Sequence, residues 1–230
     1  MRVVSRVAGT MLLASGLLGI AALGTAGGYG VGLLTSADAQ TSGSPAPIGS
    51  TTPTPTEPVK TGLPDNTPAL DKGDLRYKTR SFVADWAVRS NVTVKVPSNW
   101  WMTQPDPKKE ARFTDPTGKR FVRIEAGFTI TRPPTASLEA KIQALRGVPP
   151  SQALKILSRD VADDGRTATL VYTYIPQESV RHVVVRWVAL DDSGNCAVEI
   201  SAGGLPQDEQ AVRDVLEHAT DTVTRTDQAT

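Results

Sequence analysis

Asp163-Asp164-Gly165-Arg166-Thr167-Ala168-Thr169-Leu170-Val171-Tyr172-Thr173-Tyr174-Ile175 is the stretch on which the fold turns. It opens on turn residues, because Asp carboxylates accept from nearby backbone N–H groups and glycine tolerates a positive φ. The remainder is rich in β-branched and aromatic side chains without Gly or Pro, which is the composition of a strand. On its N-terminal side, Leu154 to Ala162 reads as helix or strand, and the hairpin turn that follows decides for strand. On its C-terminal side, Val180 to Leu190 and Cys196 to Ala202 are two further strands joined by the turn residues Asp191-Asp192-Ser193-Gly194. Strands joined by tight turns must run antiparallel.

The pattern extends outward in both directions. Phe82, Ala84, Trp86 and Val88 alternate with Val83, Asp85, Ala87 and Arg89, the period-two signal of a half-buried strand. Asn91 is read as the turn into a second strand carrying Val92, Val94 and Val96, which Pro97-Ser98-Asn99 ends. Ala111 to Thr114 is a short strand closed by Asp115-Pro116-Thr117-Gly118, and Arg120 to Ile130 is a longer one stopped by Pro133-Pro134. Ser137 to Leu145 reads as a helix with Leu138, Ile142 and Leu145 inward and Glu139 and Lys141 outward, ended by Gly147, Pro149 and Pro150. Pro206 opens a second helix with Val212, Val215, Leu216 and Ala219 on one face. Strands, a helix, strands and a final helix predict an α+β domain over 75–226, an antiparallel sheet covered by helices. Leu170, Tyr172, Val184 and Trp187 are among the residues the helices are expected to shield.

Three motifs in this order resemble the Mog1/PsbP-like domains. They are Val94-Lys95-Val96-Pro97-Ser98-Asn99-Trp100, a strand leading into a Pro-x-x-Trp corner; Phe113-Thr114-Asp115-Pro116-Thr117-Gly118, a strand with an Asp-Pro-x-Gly turn; and Gly165 to Tyr174. The resemblance covers roughly 77–226 and implies an antiparallel sheet sandwiched by helices. It also implies a non-catalytic binding or assembly factor, of the kind actinobacteria export behind a single anchor and a Pro/Thr linker. The chain departs from that pattern in lacking a cysteine that could carry a lipid anchor and any kinase sequence. The resemblance makes Trp100 the inward corner residue and leaves Trp101 and Met102 as the candidate partner contact.

The N-terminus predicts export. Arg2 and Arg6 precede an uncharged run from Val7 to Ala37, which exceeds the roughly 20 residues a helix needs to span a bilayer. Residues 1–7 then form a cytoplasmic n-region and 8–36 a transmembrane anchor, with the C-terminal domain outside by the positive-inside tendency. Ala37-Asp38-Ala39 also fits a signal-peptidase site, so secretion after cleavage following Ala39 stays open. Gly24, Gly28 and Gly32 recur every four residues and are candidates for helix packing within the membrane. Residues 40–74, with Pro45, Pro47, Pro53, Pro55, Pro58, Pro64 and Pro68 among Thr and Ser, are expected to be a disordered, extended linker.

Composition removes several chemistries. The chain holds 25 Lys and Arg against 24 Asp and Glu, so no basic field points to nucleic acid. Lys108-Lys109 and Lys119-Arg120 are read as solvated turns. Cys196 is the single cysteine, which excludes an intramolecular disulfide and reads as an inert packed thiol. His182 and His218 have no spacing that suits a metal, and Ser201-Ala202-Gly203-Gly204 is neither a nucleophile elbow nor a phosphate loop. No catalytic residue, cofactor or metal is expected. The expected function is a non-enzymatic, membrane-anchored, extracytoplasmic binding or assembly module of the bacterial envelope, its partner a protein, lipid or wall component. The alternatives are a structural subunit assembled through the glycine-striped helix, or an envelope-acting hydrolase.

Overall fold

The computed structural model describes residues 58–129 and 131–228. The N-terminal run with Gly24, Gly28 and Gly32, the Ala37-Asp38-Ala39 site, the linker up to residue 57 and Ile130 lie outside the described residues. Among the described residues, no helix is long and apolar enough to cross a membrane.

In chain order the elements are β1 (Tyr77–Asp85), β2 (Arg89–Pro97), β3 (Trp101–Thr103), β4 (Glu110–Thr114), β5 (Phe121–Glu125), α1 (Pro134–Leu145), β6 (Lys155–Val161), β7 (Thr167–Tyr174), β8 (Arg181–Val188), β9 (Val198–Gly204), α2 (Glu209–Thr222) and β10 (Thr224–Asp227). They form a seven-stranded antiparallel sheet, ordered β3-β4-β5-β9-β8-β7-β6, and a three-stranded sheet, β1-β2-β10. The α+β class read from the sequence is the one observed. The separate second sheet, the strand β10 within it and the short edge strand β3 of the large sheet are additional to that reading.

Side-chain alternation splits the core in two. On one face of the large sheet, Phe113, Val122, Ile124, Val184, Val198 and Ile200 pack against α2 and the small sheet, joined by Val92, Val94, Val96, Val212, Val215 and Leu216. On the other face, Leu170, Tyr172, Val183, Val185 and Trp187 pack beneath Leu138 and Leu145 of α1. Tyr77 ties β1 to α2, donating to Asp214 at 2.6 Å and stacking on His218 at 3.8 Å between ring centroids.

Two local differences from the sequence pattern have physical causes. The first hairpin turns at residues 86–88 rather than at Asn91, which pairs with Val83 inside β2. Gly127, at φ 78°, offers its carbonyl to the N–H groups of Ala87 and Val88 at 2.8 and 3.1 Å, and this ends the alternation after Asp85. A Cβ on Gly127 would stand 3.0 Å from that of Ala84, so only glycine allows the approach. The same residue ends β5 at Glu125, where the run to Ile130 was expected to continue as strand. Ala126 stays in the α2-side core while Phe128 enters the α1-side core. The second difference is Lys141. It was expected to face outward but is buried, because it follows Leu138 by three residues and shares that inward face.

From residue 58 the proline-rich stretch is fastened to the domain. Lys60 N–H donates to Ser151 O at 2.9 Å, Leu63 N–H to Glu178 O at 2.8 Å, and Asp65 pairs with Lys119 at 2.9 Å. Arg120, read from sequence as part of a solvated turn, is buried. Its Nε and Nη2 donate to Asp208 at 2.8 Å each, its Nη1 to Asp115 at 3.2 Å, and Nη2 also to the Pro68 carbonyl. Asp208 further accepts from the N–H groups of Leu70 and Leu205. One guanidinium thereby joins the arm, the β4–β5 turn and the start of α2. The position before β5 faces the base of α2, which is why it is not in water.

Candidate binding face

Among the described residues α1 packs chiefly on β7 and β8, with Lys141 reaching Glu199 of β9, so the β3-β4-β5 part of that face lies outside its main contacts and is the open half. The registers place one row of side chains across it: Trp101 opposite Thr114, Thr114 opposite Phe121, Phe121 opposite Gly203. The next row runs Thr103, Arg112, Arg123 and Ser201, and the third Glu110, Glu125 and Glu199. The open half is therefore aromatic at one end and ionic at the other.

Arg123 is the centre of the ionic end. It lies 2.9 Å from Glu199, 3.1 Å from Glu110 and 3.6 Å from Glu125, and Lys141 reaches Glu199 at 4.0 Å. The indole N–H of Trp187 donates to the second Glu199 oxygen at 2.9 Å. Burial works against the Arg123 charge, but Glu199, Glu125 and Glu110 override it and raise its pKa. Glu125 is pushed up to about 7 by burial and by the neighbouring charge of Glu199, which Arg123 only partly offsets. Sharing one arginine between several carboxylates leaves one of them protonated near neutrality.

Arg112 sits differently. Its guanidinium carbon lies 4.1 Å above the Phe121 ring centroid. Among the described residues its side chain makes no hydrogen bond or ion pair. Burial, then the charge of Arg123, hold its pKa below the ordinary arginine value; Glu110 and Tyr174 oppose this in part, and Arg181 adds to it. Phe121 itself lies flat on the sheet, because an added Cβ at Gly203 would stand 2.7 and 2.9 Å from its ring atoms. Arg181 donates to the Lys119 carbonyl at 3.2 Å, and the Tyr174 hydroxyl lies within the field of both Arg112 and Arg181.

Of the residues singled out from sequence, Trp100 is 2% exposed, while Trp101 and Met102 are 45% and 41% exposed. Strand alternation sends them to opposite faces: Trp101 joins the row of Phe121, and Met102 lies opposite Phe113. The two therefore do not form one patch. His182 is buried with neither ring nitrogen hydrogen-bonded among the described residues, and burial lowers its pKa. Cys196 is buried and its thiol is pushed up to about 12 by burial. Among the described residues no group of three or more His, Cys, Asp or Glu side chains could hold a metal ion. Arg112, Phe121, Arg123, Glu125 and Glu199 were not singled out from sequence. Their signal was available, since Ala111-Arg112-Phe113, Val122-Arg123-Ile124-Glu125 and Val198-Glu199-Ile200 each alternate apolar with charged.

No family model and no curated protein sequence matches the chain. Solved structures do. The Ran-binding protein Mog1p of Saccharomyces cerevisiae aligns at 12% identity over 66% of this chain and 96% of that one, with a TM-score of 0.46. The fold is similar to those of Mog1 and PsbP. Cyanobacterial PsbP from Synechocystis sp. PCC 6803 aligns at 12% identity over 64% and 91% of the two chains, with a TM-score of 0.44. LpqN of Mycobacterium tuberculosis, a protein involved in cell envelope biogenesis, aligns at 13% identity over 67% and 94%, with a TM-score of 0.37.

Proposed function

We propose that this chain is a non-enzymatic, membrane-anchored binding or assembly module of the bacterial envelope, with the described domain outside the membrane. The observation that carries the binding role is the open half of the large sheet. There an exposed Trp101 shares a row with Phe121, and the stacked Arg112 guanidinium has no ion pair among the described residues. Aromatic and arginine side chains on an accessible, preformed surface are the usual carriers of binding energy. Export rests on Arg2 and Arg6 ahead of the uncharged Val7–Ala37 run.

The test is a photo-crosslinking residue at position 101 of the full-length chain, expressed in cells and followed by fractionation. A discrete adduct in the envelope fraction is the expected result, together with protection of the domain from cytoplasmic proteases. A cytoplasmic chain, or an intact envelope chain without any adduct, would overturn the proposal.

A further inference from the structure

At the ionic end of the open face Arg123 is surrounded by the carboxylates of Glu199, Glu110 and Glu125. One row away, Arg112 is held over Phe121 with its five N–H donors uncommitted to any side chain among the described residues. Stacking fixes the plane of a guanidinium and leaves its edge available, the arrangement that accepts an oxyanion through parallel N–H groups. Neighbouring charge adds to this. Arg123 and Arg181 repel the Arg112 cation, Glu110 attracts it without forming an ion pair with it, and Arg181 spends one donor on a backbone carbonyl. Withdrawing a cation from water beside like charges costs free energy unless an anion arrives to offset it. Tyr174 stands opposite Arg181 in the register of β7 and β8.

We propose that Arg112, seated on Phe121, is the anchor of an oxyanion-binding site that takes a phosphate or carboxylate group. The rest of such a ligand runs along the row toward Trp101, the exposed aromatic at the edge of the same face. Gly203 is part of the site without touching the ligand, because any side chain there displaces the Phe121 ring on which Arg112 rests. The assignment deepens the reading of the open face as a ligand surface.

The experiment titrates the detergent-solubilised full-length chain, at constant ionic strength, with inorganic phosphate, acetate and soluble dihexanoyl-phosphatidylglycerol. Calorimetry reads uptake, and the Arg112 Nε–H resonance of arginine-labelled wild-type protein reads the location. Saturable uptake of at least one probe is expected, weakened at least about tenfold in Arg112→Gln, the scale of one charge-assisted hydrogen bond. Gly203→Ala should weaken it as well, and Arg159→Gln on exposed β6 should leave it unchanged. Uptake of free phosphate or acetate identifies a soluble oxyanion as source, and uptake of the lipid alone identifies a headgroup. If Arg112→Gln fails to fold, a saturable shift of the wild-type Arg112 resonance upholds the site and a static one overturns it. Absence of uptake by wild type, or equal uptake by a folded Arg112→Gln, also overturns it. Neither result depends on the envelope crosslink, so the two proposals fail separately.

Discussion

Arg120 at the foot of α2 and Arg112 on the open face are both withdrawn from water, and they are satisfied in opposite ways. Arg120 donates to Asp115, Asp208 and the Pro68 carbonyl, and Asp208 has no exposed surface at all. Arg112 has an aromatic ring beneath it and feels the charge of Glu110, but among the described residues it makes no ion pair or side-chain hydrogen bond. The first arrangement is complete within the chain and fixes how three segments meet. The second leaves the guanidinium donors uncommitted to any side chain among the described residues, and the proposed oxyanion site rests on that difference. An arginine's burial alone therefore does not reveal its role; the inventory of its donors does.

The contrast can be broken most directly at Arg120. Arg120→Ala should destabilise the domain by about 3–5 kcal/mol in urea denaturation, because Asp208 and Asp115 would keep buried charges without their partner. A loss under about 1 kcal/mol would mean that the network does not hold the arm and α2 together. Leu138→Ala, which removes the buried contact of α1 with the covered half of the sheet, should cost about 2–5 kcal/mol by the same measurement.

Gly203→Ala separates packing from binding. A cost of about 1–3 kcal/mol is expected as Phe121 is forced off the sheet, accompanied by weaker oxyanion uptake. If stability falls but uptake does not, Phe121 is not the seat of the site.

Acid and base should act on the two faces with opposite signs. Glu125 has its folded pKa raised from 4.5 to about 7, so its contribution to stability is full below pH 4.5 and is lost as pH rises through 7. His182, on the α2 side, has its folded pKa lowered, so the unfolded chain binds more protons and stability falls as pH drops below 6.5. Melting temperature against pH should therefore lose its alkaline-side decline in Glu125→Gln and its acid-side decline in His182→Leu. An unchanged profile in either variant would remove that group from the account.

The smallest stability effect sharpens the comparison furthest. Arg112→Gln should change unfolding free energy by no more than about 1 kcal/mol, since no intramolecular ion pair is lost. A loss near that of Arg120→Ala would make Arg112 a structural residue like its counterpart.

Legibility followed the range of the forces involved. The strands around Gly165–Tyr174, the helix read over Ser137 to Leu145 and the one opened by Pro206 were readable because alternation, turn chemistry and helical spacing act within a few residues, although the first helix begins at Pro134, read as a strand stop. Trp100 inward and Trp101 outward were readable from the corner motif and strand alternation. The first hairpin's turn was not readable, because the carbonyl that fixes it belongs to Gly127, some forty residues away. β10 was not readable either: Thr224–Asp227 has no apolar pattern and is a strand only because β2 offers it an edge.

By itself the sequence determined the α+β order of elements, the charged–apolar alternation on β4, β5 and β9, and the balance of charge that excludes a basic nucleic-acid surface. Only the tertiary structure decided which charges neutralise each other. Lys141 was drawn beneath α1, Arg120 was closed inside a carboxylate cage, Arg123 was shared among three glutamates, and Arg112 was left on Phe121 without an ion pair among the described residues. The physical reason is that a strand pattern says which side a residue faces. What it meets there comes from strands and helices distant in sequence, and electrostatic satisfaction depends on that meeting.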